Sequence, residues 1–234
     1  MRAAAPMLAS PAMIPSELLG SARTPEGSDM TLLRRGNEFV ILADGKALMS
    51  NRMHGSEEAL ATLGCDRART LEEPCVLVGG LGMGFSLRAA LDLLPAGATV
   101  VVAELLPAIV AWNEGVLGPL AGNPLRDRRV RVEIGDVGRT LREAQGRFDA
   151  VLLDVDNGPS AFTQSANGQL YGDAGVATAR RALRDGGVYA VWSARDDMRF
   201  QHRMRHNGFS VEAHRVRARL KRGGPVHTIF VGRL

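Results

Sequence analysis

The stretch that decides the fold reads Cys75-Val76-Leu77-Val78-Gly79-Gly80-Leu81-Gly82-Met83-Gly84-Phe85. A short apolar run breaks into glycines and continues as the helix-like run 86–91. This pattern is typical of the first βα turn of an α/β fold that binds a nucleotide or nucleoside, because a turn without side chains lets the ligand lie against backbone N–H groups at the helix start. We therefore predict a cofactor site at Gly79, Gly80, Gly82 and Gly84.

A second apolar run, 99–103, ends in Glu104 and is followed by Leu105. A carboxylate at the end of the second strand can accept hydrogen bonds from both hydroxyls of a ribose. We predict that Glu104 and Leu105 contact a nucleoside cofactor. The alternative is that the glycines only allow close packing of helix on strand, and that Glu104 is a solvated strand end.

Strands and helices alternate after Pro74. Strands are predicted at 76–79, 99–104, 129–134, 148–154 and 187–193, helices at 84–94, 107–117, 136–145, 171–184 and 195–207, and a final β-pair near 209–216 and 226–233. This alternation predicts an α/β fold with a Rossmann-like, mostly parallel sheet covered on both faces, and the closing pair predicts an antiparallel edge. Ligands of such sheets bind beyond the carboxyl ends of the strands.

Two further strand ends carry carboxylates. Gly135, Asp136 and Val137 follow the third strand, where Asp136 can accept a hydrogen bond from an exocyclic amine such as adenine N6, or cap the next helix. Asp154 and Asp156 follow the fourth, central strand. A carboxylate there can hold a cationic amine, take a proton or favour a sulfonium, and its alternative role is to form a turn before Gly158 and Pro159. We predict Asp154 and Asp156 as catalytic residues, with Asp154 also at the cofactor.

The segment from Asn157 to Tyr171 is polar and longer than an ordinary βα loop. Loops of this length at a ligand edge often form lids. We predict that Asn157, Phe162, Gln164 and Tyr171 contact the acceptor. For Tyr171 the alternative is that it anchors the next helix.

The chain before residue 71 has a different character. Residues 32–50 predict a small β-meander, with an Asp44-Gly45 turn as its strongest hairpin signal. A helix is predicted over 56–63, with Ser56 as its cap. We expect a disordered leader over residues 1–29, with Met30 as an alternative start, then the meander and helix over 30–70 and the cofactor-binding domain over 71–234.

Composition narrows the function classes. The 234 residues, 45% hydrophobic, can bury one full core plus a small appendage. The charge of +4 comes largely from late arginines without interleaved aromatic residues, which favours a solvated basic face over a nucleic-acid site. Two cysteines form no disulfide framework, and no apolar run is long enough for a membrane span, so we expect a cytoplasmic protein.

Two other chemistries find little support. An NAD(P)-dependent oxidoreductase places its third glycine where this chain has Phe85. His202 and His206 have a spacing compatible with metal ligation, but neighbouring arginines oppose a cation. We therefore predict no metal.

From about residue 32 to its end, the chain resembles the spermidine synthase family within the class I S-adenosylmethionine-dependent methyltransferase fold. The resemblance rests on the Gly79–Gly84 turn, Glu104, Gly135-Asp136 and the strand from Phe148 to Asp154, in matching order. It implies that the glycine loop carries the methionine part of the cofactor, that Glu104 holds ribose, that Asp136 faces adenine and that Asp154 serves an amine acceptor. It also implies a homodimer.

Three departures from that family shape the functional prediction. Gly82 stands where the family has an acidic residue that holds the aminopropyl end of the decarboxylated cofactor. Asn157 replaces the second acid of the fourth-strand motif, and the residues around Gly55-Ser56-Glu57 lack the aromatic and amide groups that grip a diamine.

We therefore expect intact S-adenosylmethionine as the cofactor and methyl transfer to a small amine or hydroxyl, with Asp154 orienting or deprotonating the acceptor. The alternatives are aminopropyl transfer from decarboxylated S-adenosylmethionine, transfer of the aminocarboxypropyl arm, and a nucleoside-binding protein without catalysis.

Overall fold

The structure is a computed structural model that describes residues 15–155, 158–159, 169–219 and 223–234. Its strands are β1 (Glu17–Arg23), β2 (Asp29–Arg35), β3 (Glu38–Ala43), β4 (Lys46–Ser50), β5 (Cys75–Gly79), β6 (Thr99–Glu104), β7 (Val130–Ile134), β8 (Phe148–Leu153), β9 (Leu183–Ser193), β10 (Ser210–Arg217) and β11 (Val226–Arg233). Its α-helices are α1 (Gly55–Gly64), α2 (Phe85–Leu93), α3 (Pro107–Glu114), α4 (Val137–Glu143), α5 (Asp173–Ala182) and α6 (Met198–His206).

Seven strands form the larger sheet, in the order β10-β11-β9-β8-β5-β6-β7. The five strands from β5 to β9 are parallel. Strand β11 lies antiparallel to both β9 and β10. The predicted mostly parallel sheet with an antiparallel edge is confirmed. Because the carboxyl ends of parallel strands meet at one edge, the glycine turn, Glu104, Asp136 and Asp154 lie along the same edge.

Alternate residues of the central strands pack into two separate cores, one on each face of the sheet. On β5, Val76 and Val78 belong to the core that contains Leu60 of α1, while Leu77 belongs to the core that contains Val176 of α5. This period-two alternation, in a strand that is apolar throughout, is expected when helices cover both faces.

Strands β1 to β4 form a second, antiparallel sheet in sequential order. The predicted Asp44-Gly45 turn joins β3 to β4, with φ of 47° at Asp44 and 75° at Gly45. Leu32 and Ile41 are buried in the same core as Leu60 of α1. The small sheet is therefore packed against the larger unit.

The expectation of a disordered leader over residues 1–29 is wrong for part of that range, because Glu17–Arg23 form β1. This strand pairs with β2 and lies on α3, where a Cβ added at Gly20 would come within 2.5 Å of Trp112 Nε1. Strand β2 follows after the short connection 24–28, whereas Trp112 is distant in sequence. Residues 1–14 lie outside the described residues.

The junction of α5 and β9 also differs from the prediction. The helix ends at Ala182, and β9 begins at Leu183, not at 187. Leu183 pairs with Phe148 of β8, and a register shift follows before the ladder continues. Because the pairing is irregular here, residues 183–186 lack the regular alternation from which a strand is predicted.

Helix α1 carries the chain from the small sheet onto the large one and packs against α2, β8, β9 and β11. Gly64 allows this close approach, because a Cβ there would contact Leu152 Cδ2 and lie 2.9 Å from Ala190 Cβ. The N-cap is His54, without a side-chain capping bond, so the prediction of Ser56 as the cap is wrong. Ser56 instead lies buried inside the first turn.

We expect Gly64→Ala to destabilise the protein by about 1–3 kcal/mol, although alanine favours a helix, because its methyl group would push α1 off the sheet. Thr62→Ala, at an exposed position of the same helix, is the matched control and should change stability by less than about 0.5 kcal/mol. The measurement is the free energy of unfolding in urea. An unchanged or increased value for Gly64→Ala would contradict the packing described for α1.

Candidate active site

The glycine turn is pressed against the end of the central strand β8. A Cβ at Gly80, where φ is +88°, would contact the carbonyl oxygen of Asp154. The Asp154 N–H also donates to the Gly79 carbonyl over 2.8 Å. Side chains at this turn would separate the two strand ends, so glycine is required here for space as well as for backbone conformation.

Glu104 lies directly beneath this turn. It is 7% exposed, and its Oε2 accepts from the Leu81 N–H while its Oε1 accepts from the Leu106 N–H, each over 2.9 Å. Burial raises the pKa of Glu104, and these backbone hydrogen bonds oppose the rise. The alternative of a solvated strand end is therefore wrong. A carboxylate at this strand end is the type of group that accepts from ribose hydroxyls.

The end of β7 supplies a helix cap and exposed apolar surface. Asp136 caps α4, its Oδ1 accepting from the Gly138 N–H over 2.8 Å. Its cap role is confirmed, and its adenine contact stays a prediction. Val137 is buried against Gly79, whereas Leu105 is 39% and Ile134 58% exposed. Exposed aliphatic side chains at adjacent strand ends provide surface on which a purine ring can pack.

A cleft opens beside the glycine turn, between α1, α2, β4 and the end of β8. It is lined by Met49, Glu57, Leu81, Gly82, Met83, Phe85, Ser86 and Asp154. Two of these side chains are carboxyl groups, and none is a lysine, arginine or histidine. The lining therefore favours a cationic ligand.

Asp154 is held by one short hydrogen bond from α2. Ser86 Oγ donates to Asp154 Oδ2 over 2.5 Å. Burial raises the pKa of Asp154 to about 6, and the Ser86 hydrogen bond opposes the rise. A carboxylate with such a pKa is mostly ionised at neutral pH and can still accept a proton readily.

Glu57, in the first turn of α1, faces the same cleft. Burial and the negative charge of Asp154 raise the pKa of Glu57 to about 7, while a hydrogen bond from Ser56 opposes the rise. The Ser56 Oγ to Glu57 Oε2 distance is 2.6 Å. The two carboxyl groups thus form an interacting pair that holds fewer negative charges than two independent acids would.

The sequence analysis missed several residues of this site. Glu57 and Ser86 reach the cleft only because α1 and α2 dock beside β8. The only sequence signal for Glu57 is that it is an acidic residue in the first turn of α1. Asn113 of α3 was also missed. Its Nδ2 donates to the Gly82 carbonyl over 2.8 Å and so fixes the glycine turn from below.

The predicted acceptor residues are only partly described. Asp156, Asn157, Phe162 and Gln164 lie outside the described residues. Tyr171 is 4% exposed, and its hydroxyl donates to the Val155 carbonyl over 3.1 Å. This position favours its anchoring role over acceptor contact.

The described residues also bear on metal binding and on membrane insertion. No cluster of three or more His, Cys, Asp or Glu side chains there has the arrangement to hold a metal ion. Within the same residues, no helix combines the length and apolar character needed to cross a membrane.

The comparisons with known proteins point to one group. A polyamine aminopropyltransferase from Korarchaeum cryptofilum (strain OPF8) is 29% identical over 125 residues, which make up 53% of this chain and 37% of that relative. Two solved spermidine synthases share the fold at a TM-score of 0.72, with 92% of this chain and 72% of each solved chain covered. One is a complex with the transition-state analogue AdoDATO, at 14% identity, and the other is from Thermotoga maritima, at 15%. The chain is thus similar in sequence to a polyamine aminopropyltransferase and in fold to spermidine synthases.

The match fixes the fold of this spermidine synthase-like chain as class I methyltransferase-like. No family model matches it, and the curated match spans only about a third of the relative's length. The preference for methyl transfer is wrong, because the relatives are aminopropyltransferases and not methyltransferases. Intact S-adenosylmethionine as the preferred cofactor likewise finds no support.

The carboxyl pair predicts a pH-dependent stability. Because the folded-state pKa of Asp154 lies above its ordinary value of 3.8, its stabilising contribution is complete below about pH 4 and is lost as the pH rises through about 6. Relative to the wild type, the unfolding free energy of Asp154→Asn should therefore rise by about 2–3 kcal/mol between pH 4 and pH 8. Urea unfolding across this range is the measurement. Asp92→Asn, at an exposed site on α2, should show no such gain, and equal curves for the two variants would refute the assignment.

Proposed function

We propose that the protein transfers an aminopropyl group from decarboxylated S-adenosylmethionine to a small amine. The observation that carries this proposal is the pair Glu57 and Asp154 in a cleft that, among the described residues, has no cationic side chain in its lining. The aminopropyl arm and an amine acceptor are both cations and are attracted by this lining. The carboxylate of intact S-adenosylmethionine would be repelled by it.

The remaining residues fit the nucleoside part of the donor. The Glu104 carboxylate at the end of β6 would accept from the ribose hydroxyls, and the glycine turn allows close approach of the part of the donor beyond the ribose. Leu105 and Ile134 supply apolar surface for the adenine, with Asp136 at its rim. The cleft that contains Asp154 lies on the opposite side of the glycine turn from this adenine surface. The sulfonium and the acceptor would meet in that cleft.

When bound, the donor supplies a carbon next to a sulfonium that is open to displacement. Asp154 holds the acceptor nitrogen in line with that carbon and accepts a proton from it, because only a neutral amine has a lone pair for attack. Ser86 fixes the orientation of the Asp154 carboxylate. Met49 and Phe85 form the apolar side of the cleft and exclude water.

A homodimer and a cytoplasmic location complete the proposal. Both come from the resemblance and composition described at the start, and both stay predictions.

The test is calorimetric titration with decarboxylated and intact S-adenosylmethionine, followed by turnover with straight-chain diamines of three to five carbons. We expect the decarboxylated donor to bind at least ten-fold more tightly, and Glu104→Gln to weaken its binding ten- to 100-fold. Asp154→Asn should lower kcat by about 10²–10⁴-fold. Asp92→Asn serves as the control and should match the wild type.

Two outcomes would overturn the proposal. Tighter binding of the intact form would remove the charge argument from the cleft. Tight binding of the decarboxylated form without any transfer to the diamines would indicate a nucleoside-binding protein.

A further inference from the structure

We propose that Glu57 selects the donor by pairing with the ammonium group at the end of its aminopropyl arm, which leaves Asp154 for the acceptor amine. This inference rests on the proposed aminopropyl transfer and deepens it, because it assigns each carboxyl group of the cleft to one of the two substrates. Glu57 is then a specificity-determining residue for the donor, and Asp154 keeps its role as the group that accepts the acceptor's proton.

The cleft places Glu57 where the arm of the donor would end. Glu104 at the end of β6 accepts from the Leu81 N–H, so a ribose held there would lie at the start of the glycine turn. The arm beyond the ribose would then pass along Leu81, Gly82 and Met83, which line the cleft together with Glu57. Since these three residues carry no charged side chain, the ammonium of the arm has its counter-charge on α1.

Glu57 also differs from the other acids on the helices that flank the cleft. Glu58 on α1 is paired with His54 over 2.8 Å, and Asp92 on α2 is paired with Arg88 over 2.6 Å. Within the described part of the chain, no cationic side chain forms an ion pair with Glu57. A partly buried carboxylate without a cationic partner is unfavourable, so a cationic ligand would offset that cost.

A hydrogen bond keeps the Glu57 carboxylate in the form that pairs with a cation. Ser56 Oγ donates to Glu57 Oε2 over 2.6 Å, and Ser56 is fully buried. A hydrogen bond donated to a carboxylate favours its ionised form. The donor's ammonium keeps its charge throughout the transfer, so its partner has to remain ionised and takes no proton. Deprotonation of the acceptor therefore belongs to Asp154, whose carboxylate is oriented by Ser86.

The groups around Glu57 are acidic or neutral. Asp154 faces it from the end of β8, and Glu58 is its neighbour on α1, paired with His54. Among the described residues, α2 and β4 contribute only uncharged side chains to the cleft. From β11, His227 contacts the serine that bonds Glu57, and burial lowers the pKa of His227, which favours its neutral form. These surroundings supply no positive charge that competes with the ammonium of a donor.

This environment links donor binding to proton release. Burial and the charge of Asp154 raise the pKa of Glu57 to about 7, so about half of the free protein holds a proton there at pH 7. Because an ammonium beside the carboxylate lowers this pKa, the donor displaces that proton to solvent. We therefore expect donor affinity to fall by about ten-fold from pH 8 to pH 6, as Glu57 becomes protonated.

The test is calorimetric titration with decarboxylated S-adenosylmethionine, intact S-adenosylmethionine and methylthioadenosine, which has neither an ammonium nor a sulfonium group. We expect Glu57→Gln to weaken binding of the decarboxylated form by about ten- to 100-fold and to leave methylthioadenosine within about two-fold. The intact form should change by less than about three-fold, because its carboxylate cancels the attraction of its ammonium. The fall in donor affinity between pH 8 and pH 6 should disappear in this variant.

Glu58→Gln is the matched control, because it removes the same charge from the next residue, which does not line the cleft. It should leave all three affinities and their pH dependence within about two-fold of the wild type. An unchanged preference for the decarboxylated form in Glu57→Gln would overturn the proposal. So would an equal loss of the decarboxylated form and of methylthioadenosine, since that would show damage to the nucleoside site.

Turnover separates this proposal from the proposed function. In an active enzyme, Glu57→Gln should raise KM for the donor by about ten-fold or more and leave KM for the diamine within about two-fold. A raised KM for the diamine with an unchanged KM for the donor would assign Glu57 to the acceptor and overturn the proposal, while aminopropyl transfer stands. If the wild type transfers no aminopropyl group, the proposed function fails, and the three titrations still decide whether Glu57 holds the ammonium.

Discussion

The site depends on one close approach, that of the Gly79-Gly80 turn to the backbone of Asp154. The Asp154 N–H donates to the Gly79 carbonyl, and a side chain at Gly80 would collide with the Asp154 carbonyl oxygen. This contact fixes the Asp154 carboxylate beside the cleft that the glycine turn lines. Because β5 and β8 are neighbours in the parallel sheet, their ladder sets the distance between the glycine turn and Asp154.

The charge of the cleft explains why the expectation of methyl transfer failed. That expectation rests on two absences: the glycine loop contains no acidic residue, and residues 55–57 include no aromatic or amide group. Both absences were interpreted as a loss of amine recognition. The acid is present but comes from another element, since Glu57 reaches Asp154 across the cleft. Recognition of a cation depends on where carboxylates lie in space, and two different segments can supply the same charge.

The sequence predicts those parts of the molecule that are encoded locally. The parallel sheet, the Asp44-Gly45 hairpin and the strand-end positions of Glu104 and Asp154 all follow from short periodic runs and turn residues. Strand β1 does not, because part of its support is Trp112, which is distant in sequence. Glu57 does not either, because it reaches the site only after α1 docks on the sheet.

The two buried acids have opposite effects on folding and on binding. In the free protein their raised pKa values reflect unfavourable burial of negative charge, which destabilises the fold at neutral pH. A cationic ligand in the cleft would offset that repulsion and lower both pKa values, so binding and deprotonation are linked. Catalysis then needs a way to remove a proton from a cleft that favours holding one. Asp154 keeps a pKa of about 6, so in the free protein it is mostly ionised at neutral pH and can take such a proton.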